Sequence, residues 1–84
     1  MNTEHRHVLP IVQRRAFDAR GHAQALDRHA NHRLGITREE LEDTADAWEV
    51  AADAFEEAAL PLQAADANHA AGSIRQYISR WYWR

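Results

Sequence analysis

Apolar residues recur at alternating three- and four-residue intervals through three successive stretches of this chain. That spacing lines up one face of a helix and leaves little but helix-on-helix packing open to it. In the first stretch Leu9, Ala16, Ala23 and Ala30 fall seven apart, with Val12, Ala19 and Leu26 as the companion row. In the second, Leu41, Trp48 and Phe55 alternate with Ala45, Ala52 and Ala59. In the third, Leu60, Ala67, Ile74 and Trp81 alternate with Ala64, Ala71 and Ile78. Strand-type alternation appears nowhere over a useful length. The spacing predicts an all-α, antiparallel three-helix bundle with helices over about 8–33, 38–59 and 61–82.

The breaks between the stretches are also legible. Gly35 suits the left-handed residue just past a helix end, with Ile36 folding back as its apolar contact. Thr37 then reads as an N-cap and Glu40, three residues on, closes a capping box, while Ile36 and Leu41 form the hydrophobic staple. Pro61 lacks a backbone donor and clashes inside a helix. The apolar phase changes there too, because continuing from Ala59 would bury Asp66 and His69. A tight turn at Leu60–Pro61 follows; the alternative is a helical hairpin whose long second helix is kinked at Pro61.

With 84 residues and no cysteine, the chain has room for one domain, 1–84, and neither a disulfide framework nor a thiolate site. Residues 1–7 read as a flexible lead-in. The seams are largely alanine, so Trp48, Phe55, Ile74, Ile78 and Trp81 are expected to carry the core. A core this thin points to completion by a partner or a second copy. A further row on the second helix, Ala47, Val50, Ala51, Ala54 and Ala58, marks it as the central element. Gly21 and Gly72 lie inside helical stretches, where glycine costs about 1 kcal/mol, and a close backbone crossing is the usual reason. No run approaches the roughly 20 apolar residues of a membrane span, and Met1–His7 lacks the apolar core of a secretory leader. A cytoplasmic location is therefore expected.

The net charge of −3 conceals a basic–acidic–basic layout. Residues 1–38 hold seven Arg against three acids, residues 39–70 hold ten acids and no Arg, and residues 71–84 add three Arg. There is no lysine, which together with the abundant alanine reads as GC-rich coding rather than selection for guanidinium chemistry. Glu42, Asp46, Glu49, Asp53 and Glu56 follow 4-3-4-3 spacing and form one acidic ridge on the second helix, widened by Glu39, Asp43 and Glu57. One reading is a solvated face attracted to the arginines of its neighbours, each such pair being worth under about 1 kcal/mol. The other is an anionic surface offered to a basic partner, resembling a phosphate backbone in spacing and sign.

Four of the seven aromatic residues fall in the last eight positions: Tyr77, Trp81, Tyr82 and Trp83. Trp81 lies on the seam and is expected in the core. Tyr82 and Trp83 cannot both share that face; beside Arg84 they form either a cap over Leu34 and Ile36 or a partner-binding cluster.

Other chemistry finds little footing. His22, His29 and His32, with Asp18, and the pairs Glu4–His7 and Asp66–His69, imitate metal-ligand spacings, but the seams are alanine and leucine where inward carboxylates would be needed. A helix-turn-helix around Ala30, Gly35 and Leu41 would present phosphates with an acidic recognition helix. No metal, cofactor or catalytic constellation is expected. The resulting expectation is a non-enzymatic protein-interaction module that uses Glu42, Asp46, Glu49, Asp53, Glu56, Tyr82, Trp83 and Arg84. Its general character is that of a small phage or mobile-element inhibitor presenting a nucleic-acid-mimicking helix to a basic protein, a likeness of type carried by no motif. One alternative is a nucleic-acid binder using Arg14, Arg15, Arg28, Arg75 and Arg80. Another is a homo-oligomeric structural component.

Overall fold

The computed structural model describes residues 10–31 and 35–81. They form three helices, α1 (Ile11–Asn31), α2 (Arg38–Glu57) and α3 (Pro61–Trp81), with no strand among the described residues. This is the small three-helix bundle that the spacing predicts. The expected lead-in 1–7, seam residue Leu9 and the Leu34 contact lie outside the described residues. Pro10 stands immediately before α1, and its carbonyl accepts the amide hydrogen of Arg14 at 3.0 Å. A proline costs least at this boundary, where its missing N–H has no helical partner.

The link into α2 is built as its residues dictate. Gly35 has φ +73°, the region that glycine enters without steric cost. Thr37 is extended, its hydroxyl accepts from the Glu40 amide at 3.1 Å, and its own amide donates to the Glu40 carboxylate at 3.0 Å. Both halves of the capping box are thus present. Ile36 is half-buried beside buried Leu41.

The second link removes the kinked-helix alternative. The Leu60 amide donates to the Phe55 carbonyl at 2.8 Å and the Ala59 amide to the Glu56 carbonyl at 3.0 Å. These are the paired bonds of a Schellman ending, with Leu60 turned back against the core. α2 therefore stops at Glu57 instead of 59, because Ala59 takes φ +61°, the left-handed position usually given to glycine. Pro61 then opens α3.

Cross-helix contacts fix the antiparallel sense. Trp48 bonds Asp27, whereas Phe55, two turns later on α2, packs on Phe17, an earlier residue of α1. α2 is the middle element, as its second apolar row suggests: it packs along both neighbours, while α1 and α3 meet only marginally. Its buried face runs through Leu41, Thr44, Ala45, Trp48, Ala51, Ala52, Phe55 and Ala58. Ala16 and Ala23 cover it from α1, and Ala64, Ala67 and Ala71 from α3. Phe55 and Thr44 are the largest side chains shut off completely, so bulk in this core comes from very few residues. Phe17 meets Phe55 edge-on at 5.2 Å, and the Arg20 guanidinium lies 4.9 Å and 5.8 Å from the two ring centres. That arrangement adds a cation–π contribution to the aromatic contact.

Expectations about packing fail at several points, among them Val12 and Val50, which are 39 % and 61 % exposed. Trp81 is 66 % exposed and leans on Tyr77 at 6.3 Å, so it does not enter the core. The apolar seam of α2 begins only at Leu41, which shares a cleft with Tyr77; one turn further along α3, Trp81 has run past it. Gly21 and Gly72 mark no close crossing, since a Cβ at either would meet nothing within 4 Å.

Gly21→Ala and Gly72→Ala should therefore each raise stability by about 0.5–1 kcal/mol, since alanine restricts the unfolded chain and fits the helix. In chemical denaturation this appears as a higher midpoint with an unchanged slope. Ala59→Gly should also stabilise the protein, by roughly 0.5–1 kcal/mol, because relief of the left-handed strain exceeds the entropy that glycine adds to the unfolded state. For a domain of this size that is a melting rise of about 2–8 °C.

Candidate functional site

The buried face of α2 lies against α1 and α3, so its remaining face must carry what the chain shows to solvent between them. Four of the five ridge residues, Asp46, Glu49, Asp53 and Glu56, are exposed, and Glu42 is half-buried. Glu39, Asp43 and Glu57 are exposed beside them. Tyr82, Trp83 and Arg84, the other expected contacts, lie outside the described residues.

The ridge is divided electrostatically. Its first half is neutralised from within the molecule. Arg38 donates to Glu42 at 3.0 Å, one turn along the helix. Arg75, reaching across from α3, donates through Nε and Nη2 to the two Glu49 oxygens at 2.8 and 2.9 Å, and through Nη2 to Asp46 at 2.6 Å. A two-pronged guanidinium–carboxylate contact is among the better-defined ion pairs. These bonds hold the Glu49 carboxyl below its ordinary value of 4.5 and push the Arg75 guanidinium further up. The cross-helix attraction foreseen for the arginines of α3 therefore exists, at Arg75.

The second half has no such partner. Asp53, Glu56 and Glu57 make no ion pair with any described residue, and the last turn of α2 contains no basic side chain. Carbonyl dipoles give a helix C-terminus a partial negative charge, and carboxylates there are unfavourable by about 0.3–1 kcal/mol each when exposed. Glu56 and Glu57 thus sit where the helix itself repels them.

Arg75 is committed to the ridge and is not a free phosphate contact. Of the alternative's arginines, Arg14, Arg15, Arg28 and Arg80 remain exposed, on two helices that hardly meet. Among the described residues no three His, Asp or Glu side chains come together as a metal site, and no helix is long and apolar enough to cross a membrane. The sequence reading passed over Asp27. It accepts the Trp48 indole N–H at 3.1 Å and the Asn31 amide at 3.2 Å, tying α1 to the core of α2. The available signal was Trp48 itself, whose buried N–H requires an acceptor.

Comparison of the chain with models of known families, with characterised proteins and with solved structures gave no match.

Arg75→Gln should return the Glu49 carboxyl toward 4.5, as read by carbon NMR of its side-chain carboxyl. A depressed folded pKa contributes stability above the unfolded value and loses it as pH falls through the lowered one. The variant's deficit should therefore be present at neutral pH and vanish in acid. It should stay below about 1 kcal/mol, because both partners are well exposed.

Proposed function

We propose that this chain is a non-enzymatic protein-binding module that offers the outer face of α2 to a basic surface on another protein. The observation that carries the reading is the acidic end of α2, unpaired among the described residues. Asp53, Glu56 and Glu57 form no ion pair with the described residues, and the last two oppose the helix dipole, so their concentration there is a cost that a cationic partner would offset. The paired half, Glu42, Asp46 and Glu49, is largely neutralised by Arg38 and Arg75, so the field that steers an oppositely charged surface into contact comes mainly from the far end. In its concrete form the module is an inhibitor of the phage or mobile-element type. It occupies the groove of a nucleic-acid-binding protein, with carboxylates standing where phosphates would lie.

The test compares the full chain with Asp53→Asn/Glu56→Gln/Glu57→Gln in affinity capture from the native host, with captured proteins identified by mass spectrometry. The variant should be equally or more stable, by up to about 1 kcal/mol, and should capture its basic partner at least tenfold less well. Capture by the parent chain should weaken steeply as salt rises from about 50 to 300 mM. Undiminished capture by the stable triple variant would refute the acidic face as the contact. Retention on heparin with a shift of labelled DNA, abolished by Arg14→Ala/Arg28→Ala, would replace this reading with nucleic-acid binding.

A further inference from the structure

Because α1 and α3 hardly meet, the bundle opens between them near the N-terminal end of α2. The opening is a cleft of about 390 Å³, within the roughly 300–1,000 Å³ typical of small-molecule sites. Its apolar surface includes Ile36, Leu41 and Ile74, with Tyr77 beside them and the Asp27 carboxylate on the α1 side.

Among the described residues Asp27 is the only charged one lining the cleft. It is half-buried, and both its hydrogen-bond donors are neutral: the Trp48 indole on one oxygen, the Asn31 amide on the other. A carboxylate accepts about four hydrogen bonds, so each oxygen keeps acceptor capacity. No described cation pairs with it. This contrasts with Glu42, Asp46 and Glu49 on the outer face of α2, each of which pairs with an arginine. The indole N–H, fixed in the core, also pins the carboxylate in place, so a ligand need not pay to order it.

We propose that this cleft binds a small organic cation, an ammonium or guanidinium group on a compact apolar body. The cationic head donates to the open lone pairs of Asp27, and the hydrocarbon lies against Leu41 and Ile74. An anion would meet the carboxylate with the wrong sign, and a neutral analogue would forgo the charge-assisted bond. The inference is independent of the acidic face of α2, which belongs to the opposite, solvent side of that helix.

Benzylamine is a suitable probe, with benzyl alcohol and benzoate as neutral and anionic counterparts. In proton–nitrogen NMR titrations of the full chain, benzylamine should shift the Trp48 indole N–H and the Ile74 amide saturably. Benzyl alcohol should bind at least tenfold more weakly, and benzoate should give no shift. Asp27→Asn retains a carbonyl acceptor for Trp48 and should weaken benzylamine about tenfold or more. Ala30→Leu fills the cleft from its α1 wall without changing charge and should have a similar effect, which keeps the test decisive if Asp27→Asn unfolds. Binding should be unchanged in Asp53→Asn/Glu56→Gln/Glu57→Gln. Equal binding of benzyl alcohol and benzylamine, shifts confined to the acidic face of α2, or full affinity in both cleft variants would each overturn the proposal.

Discussion

The middle helix has one apolar face and two neighbours to cover with it, and this shared face governs the rest of the molecule. Large side chains can stand only where both flanking helices leave room, so α2 places Trp48 and Phe55 along the midline and alanine on either side. The neighbours answer with alanine at Ala16, Ala23, Ala64, Ala67 and Ala71, which lets the backbones approach closely but removes little area from water. What the core lacks in bulk is supplied by a few directional contacts. The Trp48–Asp27 hydrogen bond, the Phe17–Phe55 edge and the Arg75 fork each tie α2 to one neighbour. None ties α1 to α3.

The parts legible in the sequence were those set by local chemistry. The break at Gly35–Thr37 is written in a few neighbouring residues, each with one physical task, and the structure shows the left-handed Gly35 and both bonds of the Thr37–Glu40 box. The break at Pro61 was legible as a break. Its form was less so, since Ala59 adopts a glycine conformation without being glycine; only the bonds from Ala59 and Leu60 back to α2 distinguish a turn from a kink. Heptad spacing located the buried rows through the middle of each helix and failed at the ends. A repeat records which face a residue is on and carries no information about where the opposing helix stops, and that is what left Trp81 exposed. Phe17 and Asp27 were missed for a related reason: each flanks the alanine row of α1, and each is drawn inward by one residue of α2. Gly21 and Gly72 show the converse, a pattern with a familiar explanation that the backbone does not call on.

The acidic ridge was legible as a row of like charges and illegible as two halves. Spacing along α2 puts Glu42, Asp46, Glu49, Asp53 and Glu56 on one face, but only the position of α3 determines that Arg75 reaches the first part and leaves the last part alone. One helix thus combines a self-neutralised segment with a segment that its own dipole disfavours and that no described residue pairs. The polar anchor of α1 shows the same economy at smaller scale, since the carboxylate that orients the Trp48 indole also lines the cleft.

The near absence of contact between α1 and α3 has a consequence for motion. Among the described residues each outer helix is held almost entirely through α2, so the architecture resembles a very short stack of nearest-neighbour interfaces more than a closed core. Losing one interface does not oblige the other to open. The α2–α3 hairpin is joined by a tight Schellman turn and clamped by Arg75, whereas α1 is held to α2 by the Asp27–Trp48 bond and the Phe17–Phe55 edge. Opening of the α1–α2 interface need not disturb the hairpin, and such a sub-global opening is of the kind that hydrogen exchange resolves into separate cooperative blocks. It would expose the midline of Trp48 and Phe55 and turn the covered face of the central helix into a groove for another helix.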